Sequence, residues 1–171
     1  MRGLARSAAL AAITLSVLAP ARADAQAVKL IGTFNDWRVY AHESGASRIC
    51  FAASQPNATE PAGARRDSIY FYVSSWPKEG VKSEVSVKIG YPLRKGSAVT
   101  VTIGSTAFNL FTDDDKAFVA DPNAELKLIE AMKKGDVMIV RGTSQRGTQT
   151  TDTYSLLGVT KALEAVTAGC T

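Results

Sequence analysis

The chain has 171 residues, 46% of them apolar, with a formal charge of +4, one histidine and two cysteines. A lone histidine without a flanking motif argues against a zinc site, and basic residues that are scattered rather than blocked argue against nucleic-acid binding. The length suits one core.

Met1 to Ala27 reads as a secretory signal peptide. Arg2 and Arg6 make the positive start, Ala8 to Leu18 an apolar stretch too short to span a bilayer, and Pro20 opens a small-residue region. Three A-x-A sites end at Ala23, Ala25 and Ala27, and Ala25 leaves a cleavage region of ordinary length. That cut removes 25 of the 171 residues, and 28–171 then forms one β-sandwich domain. Three arginines and one aspartate leave with the leader, so the charge falls from +4 to +2 and most of the basic excess belongs to export. No later stretch approaches the ~20 apolar residues of a membrane helix.

Trp37, Val39 and Ala41 alternate with Arg38, Tyr40 and His42, the period of a half-buried strand. Arg48 to Ser54 is apolar on both faces and reads as a core strand; Gln55 to Asp67, with Pro56, Pro61 and Gly63, reads as a loop. An aromatic strand over Ile69 to Ser74 is closed by Trp76-Pro77. Val85, Val87 and Ile89, then Val99, Val101 and Ile103, mark two alternating strands with YPLRKG as the turn between them. Phe108 to Phe111 and Lys116 to Ala120 form a hairpin around Asp113-Asp114-Asp115.

The period then changes. Asp121 caps a helix with Pro122 at its first position, Leu126, Leu128, Ile129 and Met132 make its apolar stripe, and Gly135 ends it. Val137 to Val140 is a continuous apolar run of the kind a strand buried on both faces carries. Gly142 and Gly147 punctuate a turn between Arg141 and Arg146, and the strand Thr148 to Thr153 returns to the core at Tyr154 and Leu156. A second helix, from about Val159 to Ala168, points Ala162, Leu163 and Val166 inward. Many short strands with late helices predict a mainly β fold, an antiparallel β-sandwich with two short helices in the C-terminal half.

Several segments, NDWRVY, RICFAASQP, EVSVKIGYP, AFVADP and RGTSQRGTQTTDTYSLLG followed by a cysteine-bearing tail, resemble the invasion-associated locus B family of alphaproteobacteria. The resemblance covers nearly the whole mature chain in the same order. It implies a small protein of the periplasm or cell envelope with an immunoglobulin-like sandwich, and a role of some members in entry into host cells. It brings no catalytic residue, metal or cofactor.

The residues add few chemical candidates. His42 is the base any hydrolase would have to use. Ser75-Trp76-Pro77-Lys78 matches S-x-x-K, but Pro77 biases Trp76 away from helical angles and S-D-N is missing. Asp113-Asp114-Asp115 lacks the spacing of a calcium loop, and Asn57-Ala58-Thr59 matters as a glycosylation acceptor only in a eukaryotic route. Arg141 and Arg146, and secondly Arg65 and Arg66 in the long loop, are the candidate contact surface, because guanidinium forks recognise carboxylate or phosphate. Cys50 and Cys170 are expected to pair, since export leads to an oxidising compartment and the cysteine count is even. The expected function is therefore a non-enzymatic envelope protein that binds an envelope or host-surface macromolecule, with a periplasmic hydrolase using His42 as the alternative. Periplasmic location is expected, with outer-membrane association or secretion as alternatives.

Overall fold

Residues 28–45 and 47–170 are described by the structure, a computed structural model, so the signal-peptide reading lies outside the described residues. Their strands are β1 (Val28–Phe34), β2 (Trp37–Ser44), β3 (Ser47–Ser54), β4 (Ala58–Glu60), β5 (Tyr70–Trp76), β6 (Val81–Lys88), β7 (Val99–Ile103), β8 (Thr106–Asp113), β9 (Lys116–Phe118), β10 (Val137–Thr143) and β11 (Gln149–Ser155). The helices are α1 (Pro122–Lys134) and α2 (Val159–Gly169). Every pairing is antiparallel, in the order β1-β2-β3-β5-β6-β9-β8-β7-β10-β11-β4.

The ladder doubles over on itself at β8. Residues 106–110 pair with β7 and residues 111–113 with β9, so one strand passes from one layer to the other. Alternating side chains of both layers then meet in one core: Trp37, Val39, Phe71 and Val85 from the first, Val101, Met138, Val140 and Tyr154 from the second. Phe71 stands edge-on to Trp37 at 6.2 Å and to Tyr154 at 5.9 Å. The buried Trp37 indole donates from Nε1 to the Ser155 carbonyl at 3.1 Å, which ties β2 to β11 across the layers. This is an antiparallel sandwich compatible with the immunoglobulin-like description.

Local chemistry explains the helices. Asp121 Oδ1 accepts from the Asn123 amide at 2.9 Å, and Pro122 occupies the first turn where no donor is needed. Leu128, Ile129 and Met132 are buried, but Leu126 is 58% exposed, because it falls outside the arc those three define. In α2, Val159, Ala162 and Val166 are buried, and Cys170 is bonded to Cys50 with Cα atoms 5.7 Å apart.

The structure departs from the expected strands at several points. Val137–Thr143 alternates, with Met138, Val140 and Gly142 buried and Val137 47% exposed, so it has one buried face rather than two. In β3, Cys50 and Ala52 are buried, while Ile49 and Phe51 lie half-buried on the opposite face. Within the expected Gln55 to Asp67 loop, Ala58–Glu60 adds a short strand to β11, and β1 precedes the first expected strand. YPLRKG does not join neighbours: β6 pairs with β9 while β7 pairs with β8 and β10, so the segment crosses between layers.

Candidate functional site: an arginine-lined cleft

A cleft of about 800 Å³ lies between the 61–67 loop, the 90–92 crossover and the 144–148 turn. Behind its lining lies one buried acid, Asp152. Thr150, Asp152 and Tyr154 share the inward face of β11, so the strand period puts a carboxylate inside. Arg66 answers it with a two-pronged contact, Nη1 to Oδ1 and Nη2 to Oδ2, both 2.6 Å. The same guanidinium donates from Nε and Nη2 to the Ile89 carbonyl at 3.0 and 2.6 Å. Its face lies 5.1 Å from the centre of the Tyr91 ring.

Tyr91 and Thr150 share a hydroxyl hydrogen bond of 2.6 Å. Burial pushes the Tyr91 phenol upward against the opposing pull of that bond and of Arg66, so at neutral pH it stays a neutral hydroxyl. Asp67 donates its amide to the Gly90 carbonyl at 2.9 Å. Gly90 has φ +80°, and a Cβ there would sit 2.5 Å from the Asp67 carbonyl oxygen, so only glycine allows this approach. On the other wall, Ser144 and Gly147 bond to Thr148 and Ser144, and the Gln145 amide donates to the Pro92 carbonyl at 3.0 Å.

Of the four arginines expected as a contact surface, Arg65, Arg66 and Arg146 line this cleft and Arg141 does not. Arg65 and Arg146 are exposed. Arg66 must be corrected: its side chain is 5% exposed, four hydrogen bonds and an ion pair use its fork, and it holds the loop instead of presenting a free fork. Arg141 lies within β10, paired with Thr151 and Thr100, instead of at the hairpin tip. Gly142 is likewise inside the strand: a Cβ there would meet Ile89 Cδ1 at 2.5 Å, so close packing accounts for this glycine. Tyr91 and Thr150 also line the cleft, and Asp152 supports it from behind through Arg66; none of the three is among the expected site residues. The signal for Asp152 was legible, since an acid at an inward position of an alternating strand requires a partner.

The other candidates have structural settings. Ser75 is buried and its hydroxyl lies 3.4 Å from the Val81 carbonyl, followed by a 3-10 turn at Pro77–Glu79. In the aspartate tip, the carbonyls of Asp114 and Asp115 accept from Leu93 and Ile89, and Asp115 lies 3.6 Å from Lys88. Among the described residues no three His, Cys, Asp or Glu side chains gather to hold a metal ion. His42 stands on the outer face of β2 opposite Ile49, and its Nδ1 is buried without a hydrogen-bond partner.

A disulfide-fastened β-sandwich with a cleft lined by Arg65, Arg66, Arg146 and one acid, Asp67, is the class of protein these features define. The chain belongs to the family described as Invasion associated locus B (IalB) protein, whose profile matches residues 37–167. Neither the curated proteins nor the solved structures compared with it gave a match.

Proposed function

We propose that this chain is an exported, non-enzymatic protein of the periplasm that binds a carboxylate- or phosphate-bearing envelope or host-surface macromolecule through the cleft of Arg65 and Arg146. Family membership suggests an invasion-associated envelope protein. The Cys50 to Cys170 disulfide fits an oxidising compartment, and among the described residues no helix is long and apolar enough to cross a membrane. The observation that carries the reading is the placement of two exposed guanidinium groups, remote in sequence, on walls braced by the buried Arg66 and Asp152 pair. Their forks need no further ordering of the backbone to meet an oxyanion.

Calorimetric titration of the purified protein with an oligoglutamate peptide tests this. Arg65→Ala with Arg146→Ala should weaken binding about tenfold or more, the scale of one lost charged hydrogen bond, and flatten its salt dependence. Arg141→Ala should change neither. Unaltered binding by the double variant overturns the cleft as the contact surface. The hydrolase reading makes the opposite demand: His42→Ala should abolish function without loss of stability.

A further inference from the structure

The 61–67 loop is bonded firmly at its two ends and loosely between them. Before it, β4 pairs with β11; at its far end, Arg66 holds Asp152 and the Ile89 carbonyl, and the Asp67 amide donates to the Gly90 carbonyl. Between these anchors Pro61, Ala62, Gly63, Ala64 and Arg65 are all exposed. Among the described residues, the one backbone bond within that run joins the Ala64 amide to the Pro61 carbonyl at 3.3 Å. Small side chains and few bonds let an exposed loop open at little cost, and such loops are the preferred places for a protease to cut.

The run ends on an exposed arginine. Lys78, Lys95 and Arg146 are exposed too, but each stands in a tight turn closed by its own backbone bond, Gly80 to Pro77, Ser97 to Arg94 and Gly147 to Ser144. A protease draws the chain into its own cleft in extended form, which a closed turn resists. Arg66 is different again: its side chain is 5% exposed, and to enter a protease it would have to abandon the Asp152 carboxylate. Cleavage of a folded chain follows the population of its opened form, so the bond after Arg66 should be cut at least about a hundredfold more slowly than the bond after Arg65. One buried ion pair thus chooses between two adjacent arginines.

We infer that the peptide bond between Arg65 and Arg66 is a processing site for an arginine-directed endoprotease, and that the product is a folded two-chain molecule. Water adds across the amide, leaving a carboxylate on Arg65 and an ammonium on Arg66. Cys50 lies on the first fragment and Cys170 on the second, so the disulfide spans the cut. So do two ladders, β3 with β5 and β4 with β11, and the packing of α2 on β1, β2 and β3. The fragments therefore stay associated once the bond is gone. The cleft does not stay as it was: Arg65 loses its tether to Arg66 and gains a negative charge of its own, which opposes an oxyanion ligand. That last consequence rests on the cleft being the contact surface, whereas the cut does not.

Brief trypsin digestion of the purified disulfide-bonded protein tests this. The first product should carry the mass of one added water without reductant, separate into two fragments with it, and show a new N-terminus at Arg66. Its sheet amides should stay protected from exchange, and Arg65→Gln should abolish this first cut. Oligoglutamate affinity of the nicked form should fall about tenfold, the scale of one lost charged hydrogen bond. A first cut at any other internal bond, a fragment beginning at Asp67 in comparable yield, or a nicked product whose sheet amides exchange freely overturns the inference. So does a stable complex with trypsin that leaves the chain whole. Unaltered affinity after the cut overturns the charge argument at the cleft. Failure of the uncut protein to bind oligoglutamate overturns the contact-surface reading alone, and the fragments still decide the processing site.

Discussion

Asp152 is the side chain that fixes the cleft, because it leaves the 61–67 loop no alternative to Arg66. A carboxylate with no exposed surface costs several kcal/mol to desolvate, and the two-pronged contact at 2.6 Å recovers that cost only while both partners remain. We therefore expect Arg66→Ala to destabilise the protein by about 3–5 kcal/mol in urea unfolding, since it strands the buried Asp152 charge. Arg66→Met with Asp152→Leu should recover most of that loss, because an apolar pair of similar volume has no charge to desolvate. A double variant no more stable than Arg66→Ala would assign the loss to the bonds Arg66 makes to the Ile89 carbonyl and to its packing against Tyr91. Either way, substituting Arg66 is no test of a contact surface, even though Arg65 beside it in the sequence is exposed.

At the scale of elements, α1 is joined to the sheet by an acid that the sheet needs. β9 ends at Phe118, opposite Ser86, and beyond that point the Val85 amide of β6 donates to Glu125 Oε1 at 2.7 Å. Burial is the main cause of a raised pKa at Glu125, opposed by the Val85 bond and reinforced by Glu84. A folded-state pKa above the unfolded one means the folded state holds the proton more tightly, so stability declines as pH rises from the unfolded value through the folded one. Glu125→Gln keeps an oxygen for Val85 without the charge. It should raise the urea midpoint at neutral pH, with a gap to the natural protein that closes as pH falls below the ordinary carboxylate range. Parallel stability curves across that range would show that ionisation of Glu125 does not matter.

The same element illustrates what was legible beforehand. Its cap, its proline and three of its four core residues follow from local chemistry, as do the faces of β2, β6 and β7 from alternation. Pairing over long distances leaves no local trace. The three residues of β4 form a strand only because β11 lies beside them, and β6 and β7 have the pattern of hairpin partners while belonging to different layers. The cleft was half legible for that reason: its arginines stand out by type, but nothing near Arg65 reveals that Arg146 lies across from it.

For the whole molecule, the bond between Cys50 and Cys170 closes a separation of 120 residues, and in the loop-entropy picture that contributes roughly 5 kcal/mol. That matches the lower end of the stability of an ordinary domain. Its mechanical effect is uneven. α2 packs on β1, β2, β3 and β5, and Cys50 lies between Ile49 and Phe51, which line an aromatic groove. The cleft is built from 61–67, 90–92 and 144–148, none of which belongs to α2. Cys50→Ser with Cys170→Ser should therefore lower Tm markedly, and below the new Tm amide exchange should accelerate first in 159–169. Oligoglutamate affinity should persist there, because the Arg66 and Asp152 brace is independent of the bridge. If cleft binding and α2 protection vanish together under conditions where the sheet amides remain protected, the cleft depends on the C-terminal helix, and the independence argued from its lining fails.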